Sequence, residues 1–215
     1  MKSGPLLLCG VLAGPLFVLL FSIIGVFRVD YDWQHHPVSS LALTEWGWTQ
    51  VANFLVTGVL LVLFAIGLWQ TVRKPAAGKG IYLGPVLFGL MGLGLIGAGL
   101  FPTDPLAGYP PGTPLRIEYT TVGILHDVFS MLLVLGLPLA CIAFAVWFAR
   151  RRNWGWVAYS LTTVPAFLST FVMAGMGFEQ HPGFAAIGGI MQRLCLVIGF
   201  TWVSLLALEL RRRFA

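Results

Sequence analysis

Long apolar stretches alternate with short polar segments along the whole chain, and this pattern predicts six α-helices. Each stretch approaches or exceeds the roughly 20 residues that a helix needs to cross about 30 Å of hydrocarbon. The sequence therefore predicts an all-α, polytopic membrane protein in which residues 1–215 form one six-helix transmembrane domain. The expected helices span about 4–27, 48–70, 81–101, 119–148, 154–176 and 184–210.

Composition strengthens the membrane interpretation. The chain is 58% hydrophobic and only 10% charged, whereas soluble domains carry about 25% charged residues. The first apolar stretch runs from Gly4 to Phe27 without a clear small-residue cleavage site, so we expect a retained helix and not a signal peptide. The three cysteines lie within apolar stretches without metal-type spacing, and we interpret them as packing residues. They are Cys9, Cys141 and Cys195.

Charged residues divide unequally between two sets of connecting segments. The amino end, the second and fourth links and the carboxyl tail hold ten basic residues and one acid. The first, third and fifth links, with the adjoining helix ends, hold two basic residues and seven acids. The positive-inside rule then places both termini in the cytoplasm. The net charge of +5 is explained as a topology signal, so we expect a multi-pass protein of the cell membrane and no nucleic-acid partner.

Polar residues concentrate on the predicted outer side, most densely in residues 28–40. All four histidines lie on or near this side. Convergent polar groups beside apolar walls are the usual signature of a ligand site. We expect one outward-facing pocket that binds membrane lipids or another amphipathic small molecule. The expected ligand-binding residues are Arg28, His36, Ser40, Asn53, Asp104, His126, His181 and Arg193.

One basic residue, Arg193, lies deep in the sixth predicted helix, roughly ten residues or about 15 Å from its start. A charge at that depth usually faces the bundle interior and has a partner. We expect that partner to be Asp127, with Asp104 as the alternative. An ion pair that only locks two helices together fits the sequence equally well.

Catalysis is an alternative use of the same polar residues. A serine nucleophile needs a base, and the base needs an orienting group. The first link supplies serines beside a histidine, but these serines also suit the start of a short helix. No nucleophile-elbow motif is present, so the catalytic assignment stays open. The candidates are His36, Ser39, Asp104, His126 and Asp127.

A zinc site is a less favoured alternative. The ligand types that zinc uses are present at His36, Asp104, His126 and His181. These residues would have to converge from four segments, and the sequence contains no HExxH, HxxxH or cysteine pair. We therefore expect no metal and no other cofactor.

Short polar motifs follow or open four of the predicted helices. They are His36-Pro37-Val38-Ser39-Ser40-Leu41, Phe101-Pro102-Thr103-Asp104, Leu125-His126 and Gln192-Arg193. This arrangement resembles a bacterial and archaeal integral-membrane family known as domain of unknown function nine-nine-eight. The resemblance spans nearly the whole chain and implies six helices with the polar residues gathered on one side. It implies no activity. Ser40 replaces the glutamate that commonly follows the family serine, which removes one acid from the expected site.

Three functions stay open at this point. Binding of a lipid-like molecule is the leading hypothesis. A metal-dependent or Ser/His/Asp hydrolase or transferase is the second; a looser likeness to membrane hydrolases of the alkaline ceramidase and progestin-receptor superfamily points the same way, although their closing His-x-x-x-His and seventh helix are missing. The third is a structural subunit of a homo-oligomer or membrane complex. A channel or transporter is disfavoured because only Arg193 lies deep.

Overall fold

The computed structural model describes residues 3–73 and 81–214. Six helices within these ranges are long and apolar enough to cross a membrane, and no strand occurs there, so the predicted all-α class and helix number are confirmed. Three basic residues of the predicted cytoplasmic side, Lys2, Lys74 and Lys79, lie outside the described residues. The helices are α1 Ser3–Phe27, α2 Trp48–Val72, α3 Leu83–Leu100, α4 Thr121–Ala149, α5 Trp154–Phe178 and α6 Gly188–Phe214.

The six helices form a closed ring in chain order. Each helix packs against the helices before and after it, and α6 packs back against α1. Close approach is clearest between α2 and α3, where a Cβ added to Gly58 would lie 2.7 Å from the carbonyl oxygen of Gly92, and the reverse distance is the same. Only glycine permits this backbone separation, which gains dispersion contacts that membrane helices need in place of a hydrophobic drive.

Short 3₁₀ helices form part of the links at one end of the ring. This end, which we call the loop end, carries the links between α1 and α2, α3 and α4, and α5 and α6. A 3₁₀ helix, Val38–Ala42, follows α1, and another, Ala185–Ile187, precedes α6. The α-helical part of α6 therefore begins four residues later than the sequence predicts.

Aromatic side chains fill the half of the ring nearer the chain termini. The indole of Trp202 stacks on Phe88 with ring centroids 6.3 Å apart and meets Phe144 edge-on at 6.0 Å. Its Nε1 donates a hydrogen bond of 3.0 Å to Ser160 Oγ. Four helices therefore meet at one buried tryptophan. We call Phe88, Phe144 and Trp202 the aromatic layer. Each aromatic pair of this kind stabilises the folded state by about 0.5–1.5 kcal/mol beyond the burial of its surface.

Candidate functional site

A cavity of about 460 Å³ lies at the loop end of the ring. All six helices and the first, third and fifth links contribute to its lining, and most of the lining side chains are apolar. The volume falls within the roughly 300–1,000 Å³ of ordinary small-molecule pockets. The polar side chains that bear on its chemistry are Ser39, Tyr119, His126, Asp127, Ser130 and Glu179.

The end of α3 fixes the ring of His126. Its Nδ1 lies 2.9 Å from the carbonyl oxygens of both Ala98 and Phe101. A helical carbonyl at Ala98 would normally accept from the N–H four residues on, but that residue is Pro102, which has none. Because carbonyl oxygens only accept, Nδ1 carries a proton, and an imidazole with one ring proton keeps its acceptor lone pair at Nε2. His126 thus holds α4 against the end of α3.

The second nitrogen of this ring remains available. His126 is only 4% exposed and lines the cavity. Within residues 3–73 and 81–214, its Nε2 has no hydrogen-bond partner. The cavity therefore contains one buried, oriented acceptor that the fold itself does not use.

Asp104 accepts hydrogen bonds from Thr120, the N-cap residue of α4. Its carboxylate accepts hydrogen bonds from the backbone N–H and the hydroxyl of Thr120, at 2.7 and 2.6 Å. Thr120 Oγ1 in turn accepts from the Gly123 N–H at 3.1 Å. A carboxylate here also interacts favourably with the positive end of the helix dipole. Asp104 is 4% exposed and is absent from the cavity lining. Its two hydrogen bonds instead attach the third link to the start of α4.

The first link is attached to α6 by consecutive side chains. Arg193 donates through Nη1 to the carbonyl oxygens of His36, at 3.1 Å, and Gly189, at 3.0 Å, and through Nη2 to the hydroxyl of Tyr31. The neighbouring Gln192 accepts the Val38 N–H at 2.6 Å through its Oε1. These bonds place the Pro-Val-Ser segment against the cavity.

The predicted ion pair of Arg193 with Asp127 or Asp104 was wrong. No ion pair involving Arg193 occurs in the described part of the chain. The guanidinium is satisfied by backbone and hydroxyl oxygens of the first link, because that irregular segment turns carbonyl groups toward α6. Burial raises the pKa of Tyr31 to about 12, although the Arg193 cation opposes the shift, so this hydroxyl stays neutral.

The ring of His36 stabilises the first link. Its Nδ1 accepts the Asp32 backbone N–H at 2.8 Å, and its ring packs against Tyr31 and Tyr109 at centroid distances of 5.5 and 5.1 Å. Burial lowers the pKa of His36, and the Asp32 carboxylate opposes this shift without cancelling it. His36 and Asp104 therefore each stabilise their own link, and of the five catalytic candidates the cavity lining contains Ser39, His126 and Asp127.

The other expected ligand-binding residues lie away from the cavity. Arg28 donates to the carbonyl oxygens of Leu41 and Trp46 in a second, separate depression. His181 is exposed, and its Nδ1 contacts the adjacent Pro182 carbonyl. Among the eight residues, His126 alone lines the cavity. The remaining two are buried, with Ser40 Oγ lacking a partner among the described residues and Asn53 Nδ2 bonded to the Phe17 carbonyl at 3.2 Å.

The side chains that could ligate a metal do not gather within the described ranges. Residues 3–73 and 81–214 contain no group of three or more His, Cys, Asp or Glu side chains placed to hold a metal ion. The hydrogen bonds of the four zinc candidates lead to different places: His36 bonds within the first link, Asp104 bonds Thr120 before α4, His126 bonds carbonyls at the end of α3, and His181 contacts Pro182 on the surface.

Two lining residues were missed as site residues. Glu179 immediately follows α5 and Tyr119 immediately precedes the N-cap of α4, and both reach the cavity. Burial raises the pKa of Tyr119, and the negative charges of Glu179 and Asp127 add to the shift. The only sequence signal for these residues was their place at helix ends on the acidic side.

Comparison with known proteins gives one match. A family model described as "Protein of unknown function (DUF998)" matches residues 11–209. The search of curated proteins returns no match to the chain. The search of solved structures likewise returns none. The matched range includes all four motifs of the sequence, and the contacts above give each motif a place at the loop end.

Proposed function

The chain belongs to the DUF998 family of proteins of unknown function, and on that premise we propose that it binds a lipid-like, amphipathic small molecule in the loop-end cavity. One observation carries the proposal: a largely apolar cavity receives polar side chains from helix ends and links. Apolar walls with a few placed polar groups are the general design of small-molecule sites. An alkyl chain then lies along the aromatic walls, and the headgroup lies beside His126.

The walls suit an alkyl chain. Phenylalanines from three different helices line the cavity, and they present carbon surfaces rather than hydrogen-bonding groups. Removing apolar surface from water contributes roughly 25 cal/mol per Å², and that gain drives binding of an aliphatic tail from solution. They are Phe17 of α1, Phe54 of α2, and Phe167, Phe171 and Phe178 of α5.

We propose that the loop end faces the outside of the cell membrane and that both termini are cytoplasmic. Basic residues support this orientation, because Arg73, Arg150 to Arg152 and Arg211 to Arg213 all lie at the helix ends opposite the loop end. A fluorescent-protein fusion at the carboxyl terminus is expected to fluoresce, and an alkaline phosphatase fusion there is expected to be inactive. The opposite pair of results overturns the orientation.

A cavity-filling variant tests the binding proposal. Gly175 lines the cavity, and a Cβ added there meets no atom within 4 Å, so Gly175→Leu is expected to occupy free space without disturbing the fold. Gly155→Leu on the same helix is the matched control, since the atom nearest to its added Cβ would be Asn153 Oδ1 at 4.0 Å and it does not line the cavity.

The measurement is native mass spectrometry of protein purified in mild detergent, with thermal shifts on adding dodecyl amphiphiles. Wild type and Gly155→Leu are expected to retain an amphiphile and to gain stability with ligand, by about 2.7 kcal/mol at a hundredfold excess over Kd. Gly175→Leu is expected to lose both effects. Equal retention in all three proteins, or no amphiphile in wild type, overturns the proposal.

A hydrolase or transferase is the second candidate function, favoured by the tautomer of His126. Because Nδ1 is bound to carbonyl oxygens, Nε2 is a free base within a cavity that also contains Ser39 and Ser130. A fluorophosphonate probe in detergent tests this function. Labelling of wild type that is lost in Ser39→Ala or Ser130→Ala, and also in His126→Asn, supports it; unlabelled wild type removes it.

A further inference from the structure

The charged groups of the cavity all have one sign. Asp127 and Glu179 are the charged side chains among its described lining residues, and neither Lys nor Arg is among them. Both carboxylates are exposed, and in the described part of the chain neither has an ion-pair partner. Tyr119, Asp127 and Glu179 all line the same cavity.

A second observation at this place concerns His126. Its side chain is more than nine-tenths buried, lines the same cavity, and offers an Nε2 lone pair that no described residue uses. Asp127 follows it directly on α4. The cavity lining therefore combines two carboxylates with a buried imidazole nitrogen that can accept a hydrogen bond, and it lacks a cationic donor among its described residues.

These groups favour a positively charged headgroup that donates hydrogen bonds. Carboxylates and a neutral imidazole nitrogen accept hydrogen bonds, and a carboxylate or phosphate headgroup offers them no N–H and repels both acids. An ammonium group supplies positive charge and up to three N–H donors. Charge-assisted bonds of this kind are stronger than neutral ones.

We infer that the cavity selects amphiphiles whose headgroup ends in a primary ammonium group. The ammonium lies at Asp127 and Glu179 and donates one N–H to His126 Nε2, while the alkyl chain follows the phenylalanine walls. This inference rests on the proposed function, since it names the headgroup class of the amphiphile. Both long-chain amines and phospholipids with an amine headgroup carry this chemistry.

Matched probes test the inference on the full chain in maltoside detergent at pH 7.5. Calorimetry compares dodecylamine, dodecanol and dodecanoate, which share a twelve-carbon chain and differ in headgroup charge. Dodecylammonium is expected to bind about tenfold or more tightly than dodecanol, a ratio equivalent to about 1.4 kcal/mol. Dodecanoate is expected to bind most weakly. A lyso-phosphatidylethanolamine of equal chain length tells whether the phospholipid or the free amine is preferred.

The double variant Asp127→Asn with Glu179→Gln is expected to lose the preference for ammonium while keeping dodecanol binding, which also shows that it is folded. Glu45→Gln is the matched control, because Glu45 is an exposed acid of the second depression and is expected to keep the preference. A double variant that still prefers the amine overturns the inference.

The probe series separates the two proposals. Equal binding of amine, alcohol and carboxylate overturns the ammonium inference and leaves the proposed function standing. Tightest binding of dodecanoate also overturns the inference and turns attention to Arg116, an exposed cation next to the lining residue Ile117. Failure of all the probes to bind overturns the proposed function, and the ammonium inference falls with it.

Discussion

Single residues of the four motifs satisfy backbone groups that the helices leave without partners. Pro102 has no N–H to offer Ala98, and His126 supplies that donor from α4. Asp104 supplies an acceptor to the Thr120 N–H at the start of the same helix. Capping and catalysis use the same residue types, which is why the sequence alone offered His126 and Asp104 as site residues and did not identify their attachment roles.

The glycine at position 123 is expected to resist substitution. A Cβ there would overlap the Asp104 carboxylate, so Gly123→Ala must displace the group that caps α4. Overpacking of this kind costs about 1–3 kcal/mol. Gly155→Ala is the control, with open space around its Cβ, and is expected to be neutral or to stabilise by up to about 1 kcal/mol. Thermal unfolding in detergent measures the stability of both variants. Equal unfolding midpoints for the two would contradict the predicted overlap between an alanine Cβ at position 123 and the Asp104 carboxylate.

Stability is expected to fall as pH decreases from about 7 to 5, partly because of His36. The unfolded imidazole takes a proton near pH 6.5, whereas burial lowers its pKa in the folded chain. The unfolded state therefore binds more protons in this window, and acidification favours it. Protonation would also break the bond from the Asp32 N–H and place a cation near Arg193.

The matched variants are His36→Asn, which keeps an acceptor close to the Nδ1 position, and His181→Asn at an exposed site. Melting temperatures between pH 7 and pH 5 are expected to fall less steeply in His36→Asn than in wild type. His181→Asn is expected to follow wild type. A slope that persists unchanged in His36→Asn assigns the effect to other groups.

At the scale of elements, the sequence predicted the helices better than their attachments. Apolar length alone located all six helices, because a membrane span needs about 20 apolar residues. The start of α6 was misplaced because residues Ala185–Ile187 form a 3₁₀ turn, which composition does not distinguish from α-helix. The partner of Arg193 was missed because every residue carries a carbonyl, and no sequence pattern tells which carbonyls an irregular link will turn toward α6.

Loss of the Arg193 side chain is expected to free the first link from α6. The guanidinium satisfies the carbonyls of His36 and Gly189 and the hydroxyl of Tyr31, and unsatisfied buried groups cost about 1–3 kcal/mol each. Arg193→Gln is therefore expected to lower the unfolding free energy by at least about 1 kcal/mol. It is also expected to increase proteolysis within residues 28–47. Arg212→Gln, at an exposed position, is the control; equal proteolysis of the two variants contradicts the role.

At the scale of the whole molecule, the ring has two unlike halves. The loop-end half contains the cavity and the half nearer the termini contains the aromatic layer, within the described residues. Hydropathy and charge could predict that polar residues gather at one end. They could not predict which side chains remain available there, because hydrogen bonds to link backbones engage His36, Asp104 and Arg193 before any ligand is considered.

The aromatic layer is expected to stabilise the ring without contributing to the cavity. Trp202 is fully buried, and Trp202→Ala removes its contacts with Phe88 and Phe144 and leaves the Ser160 hydroxyl without its donor. Large-to-small changes at buried aromatics cost about 3–5 kcal/mol. Trp202→Phe keeps an aromatic ring and is expected to cost less. Trp154→Ala, at a residue 66% exposed, is the control for tryptophan loss.

Two measurements on these variants separate the halves. Thermal unfolding is expected to rank them wild type, Trp154→Ala, Trp202→Phe and Trp202→Ala from most to least stable. Dodecyl amphiphile affinity, measured well below each melting temperature, is expected to stay unchanged in Trp202→Phe, because Trp202 is absent from the cavity lining. Affinity that falls in step with stability would mean that the two halves are coupled, since a ligand at one end would then depend on packing at the other.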